Sequence, residues 1–105
     1  MVMPGTKKNP AYSIARPWPA RVVRPSQLTV PITPIKVLPY NPNRLTLAVL
    51  NTGAALVVFG VNATLTITNG FPIPGGTFVA LDQYIGEVWL VAAAPTLVGI
   101  LEMEL

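Results

Sequence analysis

From residue 35 onward the chain runs in short alternations of apolar and polar positions, each bounded by glycine, proline or asparagine. That period of two belongs to half-buried β-strands, and no stripe of helical period accompanies it. Ile35-Lys36-Val37-Leu38 predicts one strand, followed by a turn through Pro39-Tyr40-Asn41-Pro42-Asn43. Arg44 to Leu50 predicts the next, with Leu45, Leu47 and Val49 on one face and Thr46, Ala48 and Leu50 on the other. Asn51-Thr52-Gly53 predicts a tight hairpin into Leu56-Val57-Val58-Phe59. Thr64 to Ile67 reads either as a short edge strand or as an irregular connection. The densest turn chemistry follows: Asn69-Gly70 predicts a turn at positive φ, and Pro74-Gly75 the two central residues of a type II turn, with Gly75 at positive φ. Thr77 to Leu81 and Val88 to Val91 predict strands on either side of a polar corner at Asp82-Gln83-Tyr84. In the last strand, Thr96 to Leu105, Leu101, Met103 and Leu105 face one way, while Glu102 and Glu104 are expected on a solvated outer face.

Six or seven strands at intervals of about 8 to 12 residues argue for an all-β fold, a small antiparallel β-sandwich or jelly-roll-like domain over residues 35–105. Residues 1–34 read differently. Nine of the twelve prolines lie at or before Pro42, a spacing that no helix and no central strand survives, so this part is expected to be an extended, Pro-rich, basic arm. Tyr12, Arg16, Trp18, Arg21 and Arg24 are its candidate partner-binding residues, Trp18 as an anchor pressed into a partner's groove.

Composition sharpens the division. About 70 residues are left to form a core, a size at which a domain usually needs a staple. The chain has no cysteine for disulfides and no histidine, the commonest metal ligand, so oligomerisation is the expected staple. Only 10% of residues are charged and 51% are hydrophobic. Strands at Ala55 to Phe59 and Val88 to Ala93 are apolar on both faces, and a neighbouring subunit or an arm is expected to cover the second face. Leu50, Val57, Phe59, Trp89 and Val91 are the candidate oligomer-interface residues. The bases all lie at or before Arg44 and the acids all at or after Asp82, which points to an arm that meets an acidic surface or nucleic acid. Nucleic acid is the weaker of these, because proline and aliphatic residues dilute the bases. Neither Leu45 to Val61 nor Val88 to Leu101 is an uninterrupted apolar run of spanning length, so no membrane insertion is expected. The N-terminus has no apolar stretch after Lys7-Lys8, so no secretion signal is expected.

Catalytic chemistry finds little to work with. Histidine and cysteine are absent and the serines are Ser13 and Ser26, both in the arm, so no activated nucleophile can be assembled. Glu102 and Glu104 lie two apart on one strand face, a spacing that solvation explains. Gly75-Gly76 is followed by neither a helix nor a lysine and is no phosphate loop. No enzyme activity, cofactor, metal or small-molecule substrate is expected.

The motifs also carry a resemblance. Asn41-Pro42-Asn43-Arg44-Leu45-Thr46-Leu47, Leu50-Asn51-Thr52-Gly53, Thr68-Asn69-Gly70-Phe71-Pro72-Ile73-Pro74-Gly75-Gly76 and Tyr84-Ile85-Gly86-Glu87-Val88-Trp89 occur in that order. Over about Leu38 to Leu105 the chain resembles small β-sandwich virion proteins of tailed bacteriophages. The turn-forming residues Asn51, Gly53, Asn69, Gly70, Pro74 and Gly75 carry most of it. The resemblance implies a structural virion protein assembled in the host cytoplasm: a capsid decoration (cement) protein whose arm straps neighbouring subunits of the major capsid protein. It also implies a homo-oligomer, commonly a trimer. The alternatives are a head-fibre or tail-associated adhesive module binding host-surface glycan through Tyr40, Phe71 or Tyr84, and a nucleic-acid-binding arm protein inside the particle.

Overall fold

The computed structural model describes residues 22–105, which form eight β-strands in two four-stranded antiparallel sheets packed face to face, a small β-sandwich. The strands are β1 (Val22–Val30), β2 (Ile35–Leu38), β3 (Arg44–Asn51), β4 (Val57–Gly60), β5 (Phe71–Ile73), β6 (Phe78–Asp82), β7 (Val88–Ala92) and β8 (Thr96–Glu104). One sheet has the order β1-β8-β3-β6 and the other β2-β7-β4-β5. Among the described residues no helix is long and apolar enough to cross a membrane. Between the sheets lie Val30, Leu47, Val49, Val57, Ile73, Val88, Leu90, Ala92, Val98 and Ile100, all buried and drawn from both layers. The core is therefore built from β-branched and leucine side chains that alternate inward, as the period of two requires.

The arm is shorter than the proline spacing predicts. Val22–Val30 is a full strand, paired with β8 over nine positions from Val22 opposite Glu104 to Val30 opposite Thr96. Pro25 is tolerated because β1 is an edge strand, where a missing N–H leaves no ladder partner unsatisfied. Pro72 in β5 follows the same rule at the edge of the other sheet. The boundary expected at residue 34 thus gives way: at least residues 22–30 belong to the sandwich.

Asn51-Thr52-Gly53 does not close a hairpin, because β3 and β4 belong to different sheets. Asn51 is fully buried and its side chain organises the crossing. Its Nδ2 donates to the carbonyls of Ala55 (2.7 Å) and Ile73 (2.8 Å), and its Oδ1 accepts from the Gly53 N–H (3.0 Å). Gly53 is required by close approach, since a Cβ there would run into the Thr96 side chain. The turn at Pro74 is also displaced by one residue. Thr77 N–H donates to the Pro74 carbonyl (3.1 Å), and the left-handed residue is Gly76 at φ 78°, not Gly75. Gly75 is needed for another reason: a Cβ would lie 2.6 Å from the Gly53 carbonyl oxygen. Asn69 and Gly70 do not have positive φ either. Residues 64–67 form no strand, and take the irregular connection instead.

Candidate docking surface

The two sheets treat their outer faces differently. On β4 and β7, Val58 and Val91 point away from the core and are buried all the same, because the 61–70 connection folds over them and sets Leu65 against both. Leu56, Ile67 and Trp89 close the margin of this second cluster. Gly60 and Gly70 make room for the Leu65 side chain, since a Cβ on either would come within 2.6 Å of Leu65 Cδ1. The apolar second face of these strands is therefore covered from within the subunit. Of the expected interface residues, Val57 lies in the main core and Val91 under this connection, which leaves neither a surface to offer. Phe59 is half-buried, its ring edge-on to Tyr84 with centroids 6.0 Å apart, and Trp89 is half-buried with its indole N–H donated to Glu87 Oε1 (2.9 Å).

The sheet β1-β8-β3-β6 has no such cover among the described residues. Its strands present Val23 and Pro25 from β1, Leu97 and Leu101 from β8, Ala48 and Leu50 from β3 and Phe78 from β6 on the side opposite the core. Phe78 is 67% exposed, and Leu50 and Leu97 are more than two-fifths exposed. In the middle of this face Gly99 leaves a notch, since a Cβ there would meet nothing within 4 Å. The resulting groove has a volume of about 480 Å³ and is walled by Pro25, Gln27, Ala48, Leu50 and Leu101. Leu50 is the one expected interface residue that is freely accessible here.

The reason for this inversion lies at the other end of the same strands. On β8 the inward phase runs Thr96, Val98, Ile100 and on to Glu102, so the carboxylates turn toward the core side and Leu101 and Met103 turn out. Glu102 is 5% exposed and Arg44 is 2% exposed. A bulge in β3 aims the arginine: Arg44 pairs with Glu104 but Thr46 with Met103, so the extra residue, Leu45, shifts the phase and brings Arg44 to the side of Leu47 and Val49. Gln83, at φ 62°, holds that bulge with its N–H on the Leu45 carbonyl (2.6 Å). Arg44 Nε then donates to Glu102 Oε2 (2.8 Å), while its terminal nitrogens donate to the carbonyls of Pro39 (2.8 Å), Tyr84 (3.0 Å) and Gly86 (2.8 Å). With those donors satisfied, the buried pair is a clamp on two loops, β2–β3 and β6–β7.

Around it the remaining charges find partners. Arg24 bonds Glu104 directly and lies 3.7 Å from Glu102, and Asn41 Nδ2 donates to both carboxylates. The Arg24 hydrogen bond, with that of Asn41, holds the Glu104 carboxyl below the ordinary carboxylate range. The Arg24 guanidinium is correspondingly raised by Glu104. On the other sheet Glu87 is lowered by the Trp89 indole and then by Lys36, 3.6 Å away. Burial raises the Tyr84 hydroxyl, which donates to the Glu87 carbonyl (2.5 Å). Arg24 is thus a fold residue and not a free arm residue; Tyr12, Arg16, Trp18 and Arg21 lie outside the described residues.

Among the described residues no three acidic groups are placed to hold a metal. Tyr40 and Phe71 are exposed but line separate pockets, and Tyr84 is half-buried, so the aromatic residues do not converge on one glycan platform. The missed feature did have a signal. Val98 and Ile100 set the phase of β8, and extending it by two places Glu102 inward, whereas weighting the leucines of its last turnless stretch placed it outward. A scan of family models, a search of curated proteins and a search of solved structures found no match to this chain.

Proposed function

We propose that this chain is a structural component of an assembled particle, working by burial of the outer face of the β1-β8-β3-β6 sheet. The observation that carries this reading is the face itself: four strands of mostly apolar side chains, with Phe78 and Leu50 exposed and Asp82 the one charge among the strand positions that point outward. Contiguous apolar surface of this kind marks an interaction site in a chain that stays soluble in use. On the resemblance of its turn motifs, the particle is the virion of a tailed bacteriophage and the chain a capsid decoration protein. Its partner there is the major capsid protein, reached by the segment that precedes β1.

Cryo-electron microscopy of the particle whose genome encodes the chain tests the reading, with density for the sandwich expected on the outside of the shell. Removing residues 1–21 keeps all eight strands and is expected to lower shell occupancy sharply, as is Trp18→Ala in part, since a groove-bound tryptophan contributes about 2 kcal/mol or more. Deletion through Pro34 is the wrong experiment, because it strips β1 from β8. Density confined to the tail would return the adhesive module, and density inside the shell with steep salt dependence would return nucleic acid.

A further inference from the structure

The groove and the most exposed aromatic residue of the outer face stand in a simple relation. Leu50 on β3 is paired with Gly99 on one side and with Phe78 on the other. Gly99 marks a hole and Phe78 a knob, each one strand spacing, about 4.8 Å, from Leu50. We infer that this face pairs with the same face of a second copy, about a two-fold axis that runs along β3 over Leu50. Rotation about that axis carries β8 of one copy over β6 of the other. Phe78 of each copy then enters the notch over Gly99 of its partner, and the two Leu50 side chains meet on the axis. A contact in which residue i meets j and j meets i is what an isologous interface requires.

Area and charge agree with a second copy as the occupant. About this axis β8, β3 and β6 of each copy overlap and β1 overhangs, so three strands at about 4.8 Å and six positions at about 3.3 Å make a shared face of roughly 14 by 20 Å. Side-chain relief raises this to roughly 450 Å² of accessible surface per copy, or roughly 900 Å² for the pair, the size of a weak, reversible interface. Arg24 and Arg44 turn to the core side and Lys36 lies on the other sheet, so among the described residues no base projects from this face and Asp82 sits at its corner. Two copies therefore meet without stacking like charges at the centre. The inference rests on the reading of this face as a buried one, and it names the partner independently of any virion.

Cysteine pairing tests the geometry directly, because the full chain has no cysteine of its own. An equimolar mixture of Phe78→Cys and Gly99→Cys chains is expected to form disulfide-linked heterodimers under mild oxidation, Leu50→Cys alone to form homodimers, and neither of the first two to cross-link by itself. Within one chain positions 78 and 99 are about 10 Å apart, beyond disulfide reach. Sedimentation equilibrium of the wild type is expected to give twice the 11.2 kDa chain mass. Leu50→Asp, at a site that is 42% exposed, is expected to weaken pairing about 100-fold while its circular dichroism stays that of the wild type. A mass of three chains, a monomer at 100-micromolar order, or a Phe78/Gly99 mixture that stays uncross-linked would each overturn the inference. In the monomer case the face belongs to residues 1–21 or to another protein. Shell occupancy is read on particles and pairing in free solution, so failure of one leaves the other standing.

Discussion

The two sheets of this sandwich are built from similar residues, yet one ends dry on both sides and the other does not. Beyond β4 and β7 the chain spends its 61–70 connection on Leu65 and Ile67, which roof Val58 and Val91. Beyond β3 and β8 no described segment does the same, and Leu50, Leu97 and Phe78 stand in the open. The difference teaches that an apolar strand face is no evidence of a partner until the loops have been placed. A ten-residue connection can substitute for a subunit.

The sharpest way to break this comparison is through the bare sheet's inner side. Glu102→Ala leaves Arg44 buried without its carboxylate and is expected to cost about 3–5 kcal/mol in urea unfolding. A change within about 0.5 kcal/mol would mean that Glu102 faces water and that leucines, not carboxylates, point inward. Next comes the roof. Leu65→Ala is expected to cost about 2–4 kcal/mol and to raise the solvent exposure of the Trp89 indole, seen as a red shift of emission in a Trp18→Phe background. A neutral result would show the 61–70 connection to be dispensable, and the second cluster would then need a subunit after all.

Acid should act more gently, and at the ends of the sheets. Glu104 and Glu87 are held below the ordinary carboxylate value by Arg24 and by Trp89 with Lys36, so their contribution is fully present above about pH 4.5 and is lost as pH falls through their lower folded values. Thermal melts from pH 6 to pH 3 are expected to show a falling midpoint, with the fall reduced in Glu104→Gln. The smallest effect belongs to the bare face. Phe78→Ser is expected to shift the stability of the dilute, unpaired chain by no more than about 0.5 kcal/mol, against the several kcal/mol at Leu65, since its ring is already in solvent.

The charges tell the same story on a longer scale. Along the chain the bases precede the acids, which reads as a basic arm joined to a separate body. In space β1 lies beside β8, so Arg24 meets Glu104, Arg44 meets Glu102, and Lys36 meets Glu87 across the β2–β7 pair. The apparent arm is partly the first strand, and its arginine closes the sheet it seemed to leave.

By itself the sequence determined that the chain is all-β, where most strands lie, and that the chain breaks at residues 51–53 and 74–76. These follow from the period of two and from backbone sterics, both of which act within a few residues. Only the tertiary structure decided which face of β8 is inside, that Asn51 carries the chain from one sheet to the other, that Pro25 sits in a strand, and which apolar face is left for a partner. Each of these depends on a neighbour distant in sequence: the Leu45 bulge that turns Arg44 inward, the β1–β8 ladder, and the Leu65 roof. Alternation specifies that two faces differ. Which of them meets water is set by what the rest of the chain brings to cover it.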